Sequence, residues 1–351
     1  MLPDYCEEVT KRLQSVDWLV HNFRSSDSVG LYNPANYLHN IKLVGAEYRA
    51  SLDLNVLQYT VNCVKKKKQA EAYRNACAML LFCQMADIRL EPALALYERI
   101  NYGVGSVEEA LDDLAIFRAL DNTNSDFLAE YMLGNPAALR QVEPVAIDRN
   151  TIGEELTRYQ RLTNWDSIYA LVLGAVVTFL NPKIPPSKRI EHYLDWAIRE
   201  FRLSLPCVVY AGRLYGLEPL SKMMKFKPDA PVHEKRAALS NMTWDLFIID
   251  HYFKNWTNPD TPWEEVFFTQ DNMLRSLLRL AIRIQCEEDV GPLLKHLGPQ
   301  AGAKCRELIE ERESRIDRVY GTDVWSPQHR ADLISRLEID LVVSSINIVT
   351  K

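Results

Sequence analysis

The sequence predicts a mixed α/β fold, with a mostly parallel sheet flanked by helices and interrupted by a large helical insertion. Three observations carry this. Short apolar runs occur at 48–54, 88–90, 206–211 and 266–269. Helical periodicity, not a hairpin turn, separates each run from the next. Helical patterning also fills both ends of the chain. Strands joined by helices need crossover connections, and crossovers make neighbouring strands parallel.

Taken in order, Val9, Leu13, Val16, Leu19 and Val20 have helical spacing and predict a helix over 4–23. A polar stretch over 25–36 follows, and Asn36 reads as the N-cap of a short helix reaching about 44. Tyr48 to Leu54 reads as a strand that gives way to a helix after Asn55. The run Lys65 to Lys68 separates two helices, the second being the strongly apolar Ala70 to Met85. Ile88 to Leu90 is a brief strand, and Pro92 stands near the first position of a new helix, where proline is tolerated. Ser106 ahead of Glu108 and Glu109 is an N-cap signal. Helix then follows helix to 204, broken by Pro182, Pro185 and Pro186. Pro206 to Ala211, closed by Gly212, reads as a buried parallel strand. A long helix over 232–254 carries Trp244 and Asp245. Val266 to Thr269 is the last strand, a helix runs from Asp271 to Ile284, and the rest is helical.

Composition narrows the class. The chain has 351 residues, of which 47% are hydrophobic and 25% charged, enough to bury a substantial core. Its formal net charge is −6, which excludes nucleic-acid binding through bulk charge. Any polyanion site is therefore a local patch. Seven cysteines, odd in number and without CxxC or zinc spacing, read as reduced thiols of a cytoplasmic protein. The opening residues lack a basic segment leading into an apolar core, so no signal peptide is expected. The longest apolar run, Tyr169 to Leu180, is too short for a bilayer, so no membrane association is expected. His192, His233 and His251 show no ligand spacing. Gly103-Val104-Gly105 lacks both the third glycine and the preceding strand of a dinucleotide site.

The informative residues are acids. Sites in open parallel sheets form outside the carboxyl ends of the strands. Asp53 closes the first strand and Asp271 lies two residues past the end of the last, so both can face one crevice. Glu91 and Glu98 are two helical turns apart and share a face. Asp245 sits in an apolar helix, where an acid is costly without a partner. Gathered together, such carboxylates repel one another unless a hard cation sits among them, which suits Mg²⁺ or Mn²⁺. Each acid also has a plainer role: Asp53 and Asp271 as helix N-caps, Glu98 as a surface residue, Asp245 as an alternative to Asp250.

Four segments together resemble the PIN-domain nuclease family. Ser51-Leu52-Asp53-Leu54-Asn55 is similar to its opening strand, which closes on an acid and a polar residue. The segment 88–98, ending in Glu98, resembles its second element, Trp244-Asp245-Leu246 its third, and Val266-Phe267-Phe268-Thr269-Gln270-Asp271 its fourth, in the family's order. The resemblance implies a three-layer α/β/α PIN-like core over 48–101 and 205–285, a helical insertion over 102–204, and helical flanks at 1–47 and 286–351. It implies Asp53, Glu98, Asp245 and Asp271 as catalytic metal ligands, with Asn55 and Thr269 as supporting polar neighbours. It further implies an Mg²⁺- or Mn²⁺-dependent endonuclease that hydrolyses single-stranded RNA, in the manner of a toxin or defence effector held by a regulatory protein. Lys65, Lys66, Lys67 and Lys68, then Lys222, Lys225, Lys227, Lys235 and Arg236, are the candidate RNA-contacting rim. Two alternatives stand beside this reading: a non-catalytic interaction protein on a PIN-like core, and a flap-type nuclease acting on DNA.

Overall fold

The computed structural model describes residues 5–23, 28–66, 69–102, 105–158, 162, 164–313 and 326–349. Helix α1 (Cys6–Val16) leads to strand β1 (Leu19–His21), helices α2 (Ser28–Leu31) and α3 (Pro34–Val44), and strand β2 (Glu47–Leu52). Helices α4 (Leu54–Lys65) and α5 (Glu71–Ala86) precede β3 (Ile88–Glu91). Then come α6 (Ala93–Asn101), α7 (Val107–Asp121), α8 (Ser125–Leu133) and α9 (Arg149–Arg158). Next are α10 (Trp165–Leu180), α11 (Arg189–Glu200), α12 (Leu205–Leu214), α13 (Val232–Thr257) and strand β4 (Trp263–Phe268). Helices α14 (Asn272–Glu287), α15 (Gly291–Leu294), α16 (Pro299–Glu313) and α17 (Pro327–Val349) follow.

The result is a mixed, mostly helical α/β protein with a small sheet of strand order β1-β4-β2-β3. Strand β2 pairs in parallel with β3, Ser51 opposite Glu91, and with β4, Leu52 opposite Phe268. Strand β1 runs antiparallel to β4, Val20 opposite Phe267. Side chains alternate across the sheet. Tyr48, Ala50 and Leu52 of β2 and Val266 and Phe268 of β4 join a hydrophobic core with Leu80 and Phe82 of α5. The other face carries Arg49, Ser51 and Glu265. Glu265 is buried there, accepting hydrogen bonds from Ser51 Oγ at 2.5 Å and Trp263 Nε1 at 3.1 Å. Arg49 stacks 3.6 Å above the Trp263 ring.

Two compact units emerge: Met1–Gln160 with Tyr252–Arg275, and Arg161–His251 with Ser276–Lys351. Their bounds differ from the sequence reading. Residues 102–158 belong with the sheet, because α7 packs on α4 and α6. Ser106 starts that helix with a full capping box, its hydroxyl accepting from the Glu109 amide. In the second unit α10 is buried along nearly its whole length and packs on α11, α12 and α17. Among the described residues no helix is long and apolar enough to cross a membrane.

Three local expectations are corrected. The first helix stops at Val16, because Asp17 adopts a left-handed conformation (φ 54°) with its N–H on Leu13 O. That releases Leu19–His21 to pair with β4. The cap of α3 is Asn33, whose side chain accepts from the Ala35 amide at 3.1 Å, not Asn36. The run at 206–211 is not a strand. It lies in α12, with Pro206 in the first turn, where no N–H is needed. Every residue from Pro206 to Leu214 is buried, so the helix shows no polar face by which to recognise it.

Candidate site at the carboxyl edge of the sheet

The ends of β2 and β4 lie side by side. The Asp53 amide donates to Phe268 O at 3.0 Å, carrying the parallel ladder one residue past β2. The Thr269 amide donates to Trp18 O at 3.0 Å. Asp53 and Thr269 are thereby fixed on one edge, both buried. Thr269 Oγ1 donates to Asp53 Oδ2 at 2.9 Å and accepts from the Asp271 amide at 3.0 Å. One hydroxyl therefore links the two acids. Asn55 Nδ2 reaches Asp53 Oδ2 at 3.5 Å.

The two acids differ in their local duties. Asp271 is a working N-cap: its Oδ1 accepts from the Met273 amide at 2.7 Å and from the Leu274 amide at 3.1 Å. Asp53 occupies the N-cap position of α4 but makes no side-chain cap bond. Its carboxylate is spent on Thr269 and Asn55 instead. Burial pushes the Asp53 carboxyl above the usual carboxylate range; the Thr269 hydrogen bond opposes this, and the Asp271 charge adds to it.

The sequence reading missed two neighbours. Tyr59 lies four residues after Asn55 on α4, and its hydroxyl hydrogen-bonds Gln270 Oε1. Burial and the Asp53 charge raise the Tyr59 hydroxyl. Arg275 lies four residues after Asp271, donates to Thr269 O at 3.4 Å and stands 3.8 Å from Asp17. Helical spacing counted from Asn55 and Asp271 is the signal that finds both side chains.

The remaining expected acids lie on other elements. Glu98 is on α6, which packs on α4 and β2, with Oε2 shielded from solvent. Glu91, at the end of β3, stands 3.7 Å from Arg118. Asp245 belongs to the second unit, buried on α13, where Lys225 Nζ lies 2.5 Å from its Oδ2. That ion pair answers the cost of an acid in an apolar helix without any metal. Among the described residues no group of three or more His, Cys, Asp or Glu side chains is arranged to hold a metal ion. Of the four acids, the structure brings Asp53 and Asp271 together.

The cationic rim is similarly divided. Lys65 pairs with buried Asp113 at 2.5 Å, and Arg99 binds the same carboxylate. Lys66 is exposed. Lys67 and Lys68 lie outside the described residues, as do Gly103 and Val104. Lys222, Lys225, Lys227, Lys235 and Arg236 belong to the second unit, and Lys225 is committed to Asp245. Lys235 and Arg236 border an apolar groove with Phe226, Leu239 and Leu341. Compared with family models, with curated proteins and with solved structures, the chain matches none of them.

Proposed function

We propose that the carboxyl edge of the sheet binds one Mg²⁺ or Mn²⁺ ion and that the chain hydrolyses phosphodiester bonds of single-stranded RNA, as a PIN-like ribonuclease would. The observation that carries this reading is the Asp53–Thr269–Asp271 link across neighbouring parallel strands. Mg²⁺ needs only one or two carboxylates, with water and substrate phosphate completing its shell. Asp53 and Asp271 supply that number. Asp53 and Asp271 would hold the ion, which would supply polarisation of a phosphoryl oxygen and activation of water. The residues of the chain do the rest: Thr269 holds the Asp53 carboxylate, Asn55 steadies it, and Arg275 offers positive charge beside the edge.

The test is cleavage of labelled single-stranded RNA by pure protein in Mn²⁺, set beside branched DNA. Asp53→Asn should abolish metal-dependent cleavage while the fold persists. Unchanged cleavage in both Asp53→Asn and Asp271→Asn ends the proposal, and preferential cutting of branched DNA replaces it with the flap-type reading. A non-catalytic interaction role is favoured by two specific facts, the Lys225–Asp245 pair and the capping duty of Asp271. Absence of Mn²⁺ binding by calorimetry selects that role.

A further inference from the structure

A second recess lies in the same unit at the opposite end of β2. Tyr48, on its wall, is five residues before Asp53, about 16 Å along an extended strand. The recess has a volume of about 340 Å³. Phe23, Tyr37 and Tyr48 meet edge to face, with ring centroids 6.0, 5.9 and 4.9 Å apart, and His21 lies against Phe23 at 4.9 Å. Tyr37 and Tyr48 are buried, whereas Asn36, His39 and Asn40 form an exposed rim. Among the described residues no Asp, Glu, Lys or Arg lines it.

Each of these facts restricts the ligand. Flat aromatic walls favour a planar ring, which stacks on them or meets their edges. No Lys or Arg among the described lining residues favours a phosphate or carboxylate as the buried group. The volume sits at the lower end for small-molecule sites, room for one nucleoside and not for two. The tyrosine hydroxyls are already engaged: Tyr37 donates to Leu31 O at 2.9 Å, and Tyr48 accepts from Asn40 Nδ2 at 2.9 Å. Asn36 Nδ2 donates to Gly30 O at 2.9 Å. Beyond these bonds each asparagine keeps a carbonyl oxygen and a second N–H. One acceptor and one donor on a carboxamide match N6 and N7 of adenine. A Cβ at Gly30 would stand 3.1 Å from Asn36 Nδ2, so glycine there lets the amide close in.

We propose that this recess binds a single adenine base, stacked against the Phe23–Tyr37–Tyr48 cluster and read along its edge by Asn36 and Asn40. The site is separate from the Asp53–Asp271 edge and does not rest on the nuclease reading. The base can come from a free nucleoside or from an adenine in a strand, and the experiment distinguishes them. Saturation-transfer NMR and calorimetry on the full chain compare adenosine, uridine, ribose and a dinucleotide of adenine. Adenosine should bind, uridine about tenfold more weakly, and ribose not at all. The dinucleotide matches adenosine if the recess admits a strand and fails to bind if it takes free nucleoside alone. Asn36→Ala with Asn40→Ala, both at exposed positions, should weaken adenosine about tenfold with the melting temperature held within a few degrees. Phe23→Leu should weaken it similarly and serves if the double variant melts early. Asp53→Asn should leave nucleoside binding unchanged. Failure of adenosine to bind at about millimolar concentration, or equal binding by wild type and both variants, overturns the proposal.

Discussion

A single carboxyl group sets the balance between stability and chemistry at the sheet edge. Asp53 is buried, and in the folded chain its affinity for a proton is raised by that burial. The sign follows. A carboxyl whose folded pKa exceeds its unfolded value stabilises the fold fully below the unfolded pKa, and that contribution is lost as pH rises through the folded pKa. As pH rises, the growing charge on Asp53 is thus a destabilising element, and Asp53→Asn removes it while Thr269 keeps an acceptor. Thermal melts should place Asp53→Asn about 2 °C or more above wild type at neutral pH, with the gap closing towards pH ~4. Mn²⁺ should raise the wild type alone. A wild type that melts at the higher temperature at neutral pH contradicts this account. Asp245 makes the converse case. With Lys225 at 2.5 Å its charge is compensated, so Lys225→Met removes that compensation from a buried carboxylate and should cost about 2 kcal/mol or more. Adding Asp245→Asn should recover most of that loss in urea titrations, and failure to recover it places the cost in packing instead.

At the scale of elements, Asp271 has one observed job, capping, and one proposed job, cation binding, and substitution can separate them. Its Oδ1 caps α14 through two amides, and removing a cap costs about 1 kcal/mol. Asp271→Ala should therefore lose stability as well as cation binding, whereas Asp271→Asn keeps the cap and tests the metal alone. Urea midpoints read the first effect and Mn²⁺ calorimetry the second. Helix packing offers a further check. Gly174 on α10 faces the Trp196 ring of α11, and a Cβ there would overlap that ring. Gly174→Ala should cost about 1–3 kcal/mol through overpacking, despite its better helix propensity. These examples also show which parts were readable from sequence. The strands ending at Leu52, Glu91 and Phe268 were legible because each is a short apolar run between helical periodicities. Placing Asp53 and Asp271 at one edge followed from strand-end geometry, whereas Thr269 entered only through the family resemblance. Strand β1 was hidden because Leu19 and Val20 continue the spacing of α1, and only the left-handed Asp17 breaks it. Helix α12 was hidden because burial on every side erases periodicity. The Lys225–Asp245 pair joins residues twenty apart through tertiary packing, which no local pattern encodes.

The chain passes between its two units rather than completing one before starting the other. Residues 1–160 contain three of the four strands, but β4 comes from the returning segment Tyr252–Arg275. In the order β1-β4-β2-β3, β4 is the partner of both β1 and β2. A fragment ending at 160 therefore leaves β1 without a neighbour and exposes one full edge of β2. It also loses Val266 and Phe268 from the core, together with Thr269 and Asp271 from the candidate site. Burying Val and Phe side chains contributes about 1.5–3 kcal/mol each, a large part of the net stability of a domain. The fragment 1–160 should accordingly fail to give a cooperative melt, although far-UV circular dichroism retains helix from the remaining segments. Proton–nitrogen correlation spectra should show collapsed amide dispersion. Supplying the peptide 252–275 in trans should restore dispersion if β4 is the missing piece. A fragment that melts cooperatively on its own would show that β1, β2 and β3 re-pair without β4.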